Sequence, residues 1–286
     1  MSRATQPTRA GTALVLAISL AVVVAGCGTP APVPSASPTP TSALPQPVTP
    51  TTAPAVPTTA PVAPAPPPLP ASLVGTEWSR LPTSQKVVAL TFDAGNNNGG
   101  AASILATLRA TGTPATFFLN GRWAQAYPAD ARQIAAGGYS IGNHSADLVH
   151  FRTLGDSEAR QQILDGAQMI KSVTGRDPRP LFRSPFGDLD ARTIKIVNSL
   201  GYGSIFWTVG TQGYLGNSGG QSVSSVVTRV LDGLQPGEIV ILEVQANATD
   251  HSTLDADALP TIIREVQQRG YRFVSLDQFI KSVPPA

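Results

Sequence analysis

An α/β fold is predicted for residues 73–286, with about seven parallel strands closed or nearly closed into a barrel and an open doubly wound sheet as the fallback. Two observations predict it. From Val87 onward, short β-branched or aromatic runs alternate with helical stretches, and about seven such units fit within about two hundred residues. The punctuation agrees, because Gly137, Gly138, Gly175, Gly201 and Gly270 stand where helix C-terminal turns favour a residue at positive φ.

The first strand is expected over 87–92, where Val87-Val88-Ala89-Leu90 is an unbroken apolar run of the kind a strand buried on both faces needs. A helix over 102–110 leads to a second strand over 115–119, which ends in Thr116-Phe117-Phe118-Leu119. Residues 124–136 read as helix, 139–143 as strand, and the long stretch 156–173 as helix. Strands at 181–183, 203–209, 239–244 and 271–276 then alternate with helices at 191–200, 223–234 and 256–268.

The N-terminal quarter has a different character. Of 27 prolines, 16 fall between positions 30 and 70, a stretch without charged or aromatic residues. Such a composition cannot bury a core, so residues 28–72 are expected to form a disordered Pro/Thr/Ala-rich stalk with a fully extended reach on the order of 140 Å. Ahead of it, Arg3 and Arg9 precede an apolar and small-residue run over 11–26, too short for a comfortable spanning helix and suited to a secretory signal. The run ends in Val24-Ala25-Gly26-Cys27, and Cys27 is the only cysteine, so no intramolecular disulfide accounts for it. Small residues directly before a cysteine resemble the bacterial lipoprotein box. That resemblance implies a signal peptide over 1–27, lipidation of Cys27 and anchoring on the outer side of a bacterial membrane. Without Arg3 and Arg9 the chain has 18 basic and 18 acidic side chains. A nucleic-acid partner needs a basic surplus to release counterions, and this balance excludes it.

In a β/α barrel the chemistry sits on the loops that follow the strands. The polar residues expected there are Asp93 after Thr91-Phe92, His144 between Asn143 and Ser145, Arg183 in Phe182-Arg183-Ser184-Pro185-Phe186-Gly187, Trp207, and Glu243. Two carboxylates, an imidazole and a guanidinium at one mouth make a plausible catalytic site.

These motifs occur in an order that resembles the polysaccharide deacetylase family, the NodB homology domain. They are Leu90-Thr91-Phe92-Asp93-Ala94-Gly95, Thr116-Phe117-Phe118-Leu119 with Gly121, Gly142-Asn143-His144-Ser145, Phe182 to Gly187, and Ser252-Thr253-Leu254-Asp255-Ala256-Asp257-Ala258-Leu259-Pro260. The resemblance spans about residues 86–279. It implies a distorted (β/α) barrel of the glycoside hydrolase/deacetylase type that removes acetyl groups from N-acetylated sugars. It also implies a divalent metal held by one Asp and two His, which lowers the pKa of a bound water and polarises the amide. Asp93 matches the family's general base, Arg183 the arginine that orients it, and His144 the first metal histidine. Phe186 stands at the family's usual tyrosine.

At other positions the chain departs from the pattern. The metal carboxylate is replaced by Ala94, the second metal histidine by Leu148, and the histidine expected as general acid by Glu243. Val209-Gly210-Thr211 replaces a Val-Asp-Thr pattern, and Tyr214 stands where a tryptophan is common. Since one imidazole does not hold zinc against water, no cofactor is expected from the surviving ligand. A metal such as zinc would require a site rebuilt from His144 with Asp93, Glu243, Asp147 or His150. The resulting expectation is an envelope lipoprotein that binds N-acetylated glycan, peptidoglycan by location, through Phe186, Trp207 and Tyr214, and has lost turnover. The alternatives are an active de-N-acetylase, with a rebuilt metal site or with Asp93 as base and Glu243 as acid, and a structural lipoprotein without a glycan role.

Two decoys are set aside. Gly216-Asn217-Ser218-Gly219-Gly220 fits the serine-hydrolase spacing but lies in a loop well past the strand end, not in a strand-to-helix elbow. The Asn/Gly-rich stretch 95–100 lacks the lysine of a phosphate loop.

Overall fold

The computed structural model describes residues 69–283; the expected signal segment, Cys27 and nearly all of the stalk lie outside the described residues. The strands are β1 (Glu77–Trp78), β2 (Val87–Ala94), β3 (Thr116–Leu119), β4 (Ser140–Asn143), β5 (Leu181–Phe182), β6 (Gly203–Ile205), β7 (Val209–Gly210), β8 (Glu238–Glu243) and β9 (Arg272–Phe273). They run parallel in the order β1-β6-β5-β4-β3-β2-β8-β7, with β9 added beside β2. Between them lie α1 (Ala101–Thr111), α2 (Gly121–Ala126), α3 (Pro128–Ala136), α4 (Asp156–Thr174), α5 (Ala191–Ser199), α6 (Val223–Asp232) and α7 (Leu254–Gln268), and α8 (Leu276–Ser282) is the last described element. This is the β/α barrel that the alternating pattern predicts, in the distorted form that the family resemblance implies.

The period of two along each strand divides the core. On β2, Val88, Leu90, Phe92 and Ala94 face outward and pack with Phe117, Val240, Leu242 and the inner faces of α1, α6 and α7. Val87 and Ala89 face inward and pack with Phe118, Leu181, Ile205 and Ile239 in the base of the barrel. Thr91 and Asp93 share the inward parity but sit above that plug, so the same alternation that fills the barrel below delivers a polar pair above. Gly142 belongs to this inner layer because a Cβ there would lie 2.5 Å from the Phe118 ring.

Four expectations are corrected. The single strand expected at 203–209 is two strands separated by Phe206–Thr208, because this segment crosses from one end of the sheet to the other. Phe206 N donates to Trp78 O at 2.8 Å, whereas Thr208 N donates to Ile239 O at 2.8 Å. The crossing draws the two sheet ends together. The helix expected at 124–136 breaks into α2 and α3 because Pro128 keeps the preceding residue out of the helical region, with Tyr127 at φ −123° and ψ 58°. The strand expected at 271–276 pairs only at Arg272 and Phe273, and Leu276 instead opens a helix. That helix seals the base: Leu276 is buried and Phe279 meets Trp78 edge-on at 5.9 Å between ring centres. Of the punctuating glycines, Gly138, Gly175, Gly201 and Gly270 have positive φ, but Gly137, at φ −71°, does not.

Phe92 and Phe117 stack at 4.9 Å between ring centres in the outer core layer. Phe117→Ala is expected to lower stability by about 3–5 kcal/mol, through lost transfer energy and the cavity left behind. Urea unfolding followed by circular dichroism measures it, and a loss under ~1 kcal/mol would contradict this packing.

Candidate active-site cavity

A cavity of about 450 Å³ opens where the strands end. Asp93, His144, Leu148, Phe186, Trp207, Tyr214 and Glu243 line it, together with Asn96, Gln212 and Gln245. The sequence-derived candidates therefore share one site, with Arg183 directly beneath.

Arg183 is completely buried. Its Nη1 donates to Asp93 Oδ1 at 2.7 Å and to Thr91 Oγ1 at 2.9 Å, and its Nη2 donates to the Phe206 carbonyl at 2.9 Å. The guanidinium also lies 4.1 Å from the centre of the Phe118 ring. Arg183 thus ties β2 to the β6–β7 crossing and holds the Asp93 carboxylate in one orientation. His144 is set from two sides. Its Nδ1 is 2.9 Å from the Arg183 carbonyl oxygen, and the Asn120 side chain, which caps α2, also donates to the His144 carbonyl at 3.3 Å. Burial holds the imidazole below its ordinary pKa, against an opposing pull from Asp93. With Nδ1 on a carbonyl, Nε2 turns toward Asp93 Oδ2 at 3.6 Å.

Glu243 lies beside Asp93, its register partner across β2 and β8. Burial, the Asp93 charge and the Asp255 charge together push the Glu243 carboxyl well above its usual range. Asp255 is the residue that sequence reasoning missed. It is buried at the start of α7, and its Oδ2 accepts the Glu243 backbone N–H at 2.8 Å, so it braces the end of β8. Gly213 makes room for it, since a Cβ there would lie 2.3 Å from Asp255 Oδ1. Desolvation raises the Asp255 carboxyl to about 6. The available signal was one acid on an otherwise apolar helix face formed by Leu254, Ala258, Leu259 and Ile262.

The rim is aromatic. Phe186 and Tyr214 are 60% and 48% exposed, and Trp207 stacks on Phe206 at 3.8 Å between ring centres. Phe186 and Gln212 hold positive φ, at 60° and 59°. Two of the cavity's own loop residues thus carry backbone strain.

The residues present do not fit the metal that the resemblance implies. Ala94 faces outward into the core and offers no donor, and Leu148 puts an isobutyl group where a histidine is expected, packed over Gly95. Of the rebuilding candidates, Asp147 pairs with Arg122 and accepts from Gln162, while His150 pairs with Asp188 at 3.3 Å and stacks on Phe186. Among the described residues no three His, Cys, Asp or Glu side chains are grouped as a metal site would need. In the serine-hydrolase decoy, the Ser218 backbone donates to Asp250 and its hydroxyl to Asn247.

A parallel β/α barrel with a carboxylate–arginine pair and an imidazole at its C-terminal mouth is a frame for polar chemistry on a bound ligand. Residues 80–205 match the family model for polysaccharide deacetylase. A peptidoglycan-N-acetylglucosamine deacetylase of Bacillus cereus is 30% identical over 201 residues, covering 70% of this chain and 91% of that protein. A CE4 family pseudoenzyme from Bacillus anthracis superposes with a TM-score of 0.62 at 28% identity, over 68% of this chain and 66% of that one. A mutant of it with restored enzymatic activity gives the same TM-score and identity, over 68% of each chain. The chain belongs to the polysaccharide deacetylase family.

Two outcomes are expected from this geometry. Arg183→Met leaves Asp93 buried and unpaired and should lower stability by about 3–5 kcal/mol in urea unfolding, most of it recovered in the double variant with Asp93→Leu. Because the folded-state pKa of Asp255 is raised from 3.8 to about 6, its contribution is fully present below pH 3.8 and is lost as pH rises through 6. Between pH 4 and pH 7 the wild type should therefore lose on the order of 3 kcal/mol relative to Asp255→Asn. Parallel unfolding curves at the two pH values would contradict it.

Proposed function

We propose that this chain is an exported, lipid-anchored member of the family that binds glycan of the peptidoglycan type without hydrolysing it. One observation carries the reading. The cavity, its aromatic rim and the Arg183–Asp93 pair are kept, whereas Ala94, Leu148 and Glu243 stand at three positions where the family's chemistry needs a metal carboxylate, a metal histidine and an acid histidine. Loss of those groups removes the means of activating water and stabilising an oxyanion on a poor electrophile such as an amide. What remains is suited to holding a saccharide: Phe186, Trp207 and Tyr214 offer apolar ring faces to a pyranose, and Asn96, Gln212 and Gln245 offer polar contacts to its hydroxyls. The Bacillus cereus relative acts on peptidoglycan N-acetylglucosamine, which supports an N-acetylated envelope glycan as the partner. Val24-Ala25-Gly26-Cys27 supports export and lipidation, and the proline-rich stretch that follows supports a stalk that carries the barrel away from the membrane.

A second reading is favoured by Glu243. Its carboxyl, pushed up by burial and by Asp93, would keep a proton beside the ionic Asp93–Arg183 pair, the arrangement that metal-free acid/base hydrolysis requires.

The two readings separate in one experiment on the full chain, incubated with N-acetylglucosamine oligomers and with peptidoglycan, beside Asp93→Ala. Binding without turnover predicts saturable glycan binding, weakened several-fold by Tyr214→Ala, with no acetate release and no stoichiometric metal. Acetate release that disappears in Asp93→Ala would establish the second reading. Absence of both release and binding would leave a structural role.

A further inference from the structure

The glycan-binding reading leaves open which sugar occupies the cavity, and the carboxylate pair within it answers that. Asp93 and Glu243 are paired in register on adjacent parallel strands, so their side chains leave the same face of the sheet from backbones about 4.8 Å apart. Arg183 satisfies only Oδ1 of Asp93. Among the described residues nothing donates a hydrogen bond to Oδ2, because His144 Nε2 stops at 3.6 Å, which is beyond hydrogen-bond range. The Asp93 side chain is only 6% exposed and lines the cavity, so its free oxygen opens onto that space. The Glu243 carboxylate also lines the cavity and likewise receives no donor among the described residues. Two adjacent carboxyls ionise together only with a cation between them, and burial with the Asp93 charge pushes Glu243 well above its usual range. Among the described residues the one buried guanidinium is already committed to Oδ1, Thr91 and backbone carbonyls.

An acetamido group answers this poorly, since it brings one N–H donor and no charge. A primary ammonium brings three donors, no acceptor and a positive charge. We propose that the cavity recognises the 2-ammonium group of a de-N-acetylated amino sugar, the product of the family's reaction and not its substrate, with the pyranose held against Trp207 and Tyr214. The aromatic rim is what selects a sugar over an alkylamine, because a ring face can stack there and a flexible chain gains little. This inference depends on the glycan-binding reading above.

Isothermal titration calorimetry on the full chain tests it with three probes: the β-1,4-linked glucosamine tetramer, the N-acetylglucosamine tetramer and butylamine. The glucosamine tetramer should bind tighter than the acetylated one by roughly tenfold or more, with butylamine far weaker than either. Glu243→Gln and Asp93→Asn, each confirmed as folded by circular dichroism, should each bring the two tetramers within about threefold, as expected when a charge-assisted bond becomes a neutral one. Equal or tighter binding of the acetylated tetramer would overturn the inference and leave glycan binding intact, as would a preference that survives in both variants. Binding of neither tetramer would overturn the glycan reading itself. Butylamine as tight as the glucosamine tetramer would place an amine other than a sugar in the cavity.

Discussion

The buried pair of Arg183 with Asp93 is the constraint on which the upper half of this barrel depends. A guanidinium with no exposure has to find its partners inside the protein, and here all three nitrogens do so, on a carboxylate, a threonine hydroxyl and the carbonyls of Ile205 and Phe206 at the crossing between the two sheet ends. Those partners come from β2 and from the β6–β7 crossing, so one side chain sets the distance between parts of the barrel that share no strand pairing. The Phe118 ring beneath it separates this polar layer from the apolar plug of the base.

The layering explains how a site can depart from the family pattern and keep its shape. Ala94 points outward and adds to the outer core, Leu148 packs over Gly95, and Glu243 takes a backbone brace from Asp255. Each departure from the family pattern is thus absorbed by its own neighbours. The Arg183–Asp93 pair and the orientation of His144 do not depend on a bound ion, since backbone carbonyls and the Asn120 cap hold them. What the substitutions change is the charge balance of the cavity. Among the described residues Asp93 and Glu243 line the cavity with Asp255 behind them and one buried guanidinium beside them, and the cationic ligand proposed above would offset that excess of acids.

Much of the architecture was legible because apolar alternation is a local property. The continuous run from Val87 to Leu90 marks a strand buried on both faces, and the polar residue that ends each run marks the mouth. Asp93, His144, Arg183 and Glu243 were found in this way, and Phe186 through the family resemblance. The crossing at Phe206–Thr208 was not legible, because whether an apolar run stays in one ladder depends on where the far edge of the sheet lies. Asp255 escaped for a related reason: an acid in the first turn of a helix is ordinarily a solvated partner of the helix dipole, and only the fold buries it against Gly213 and the end of β8.

The sequence by itself determined the succession of elements, the family and the identity of the groups at the mouth, since these follow from periodicity and residue order. Only the tertiary structure decided how those groups are paired. Whether Arg183 takes one oxygen of Asp93 or both, whether His144 bonds a carbonyl or faces a carboxylate, and whether Asp147 or His150 can join them are questions of distance between residues far apart in the chain. Hydrogen bonds fail beyond about 3.5 Å. Separations of that size are set by packing in three dimensions and leave no trace in residue order.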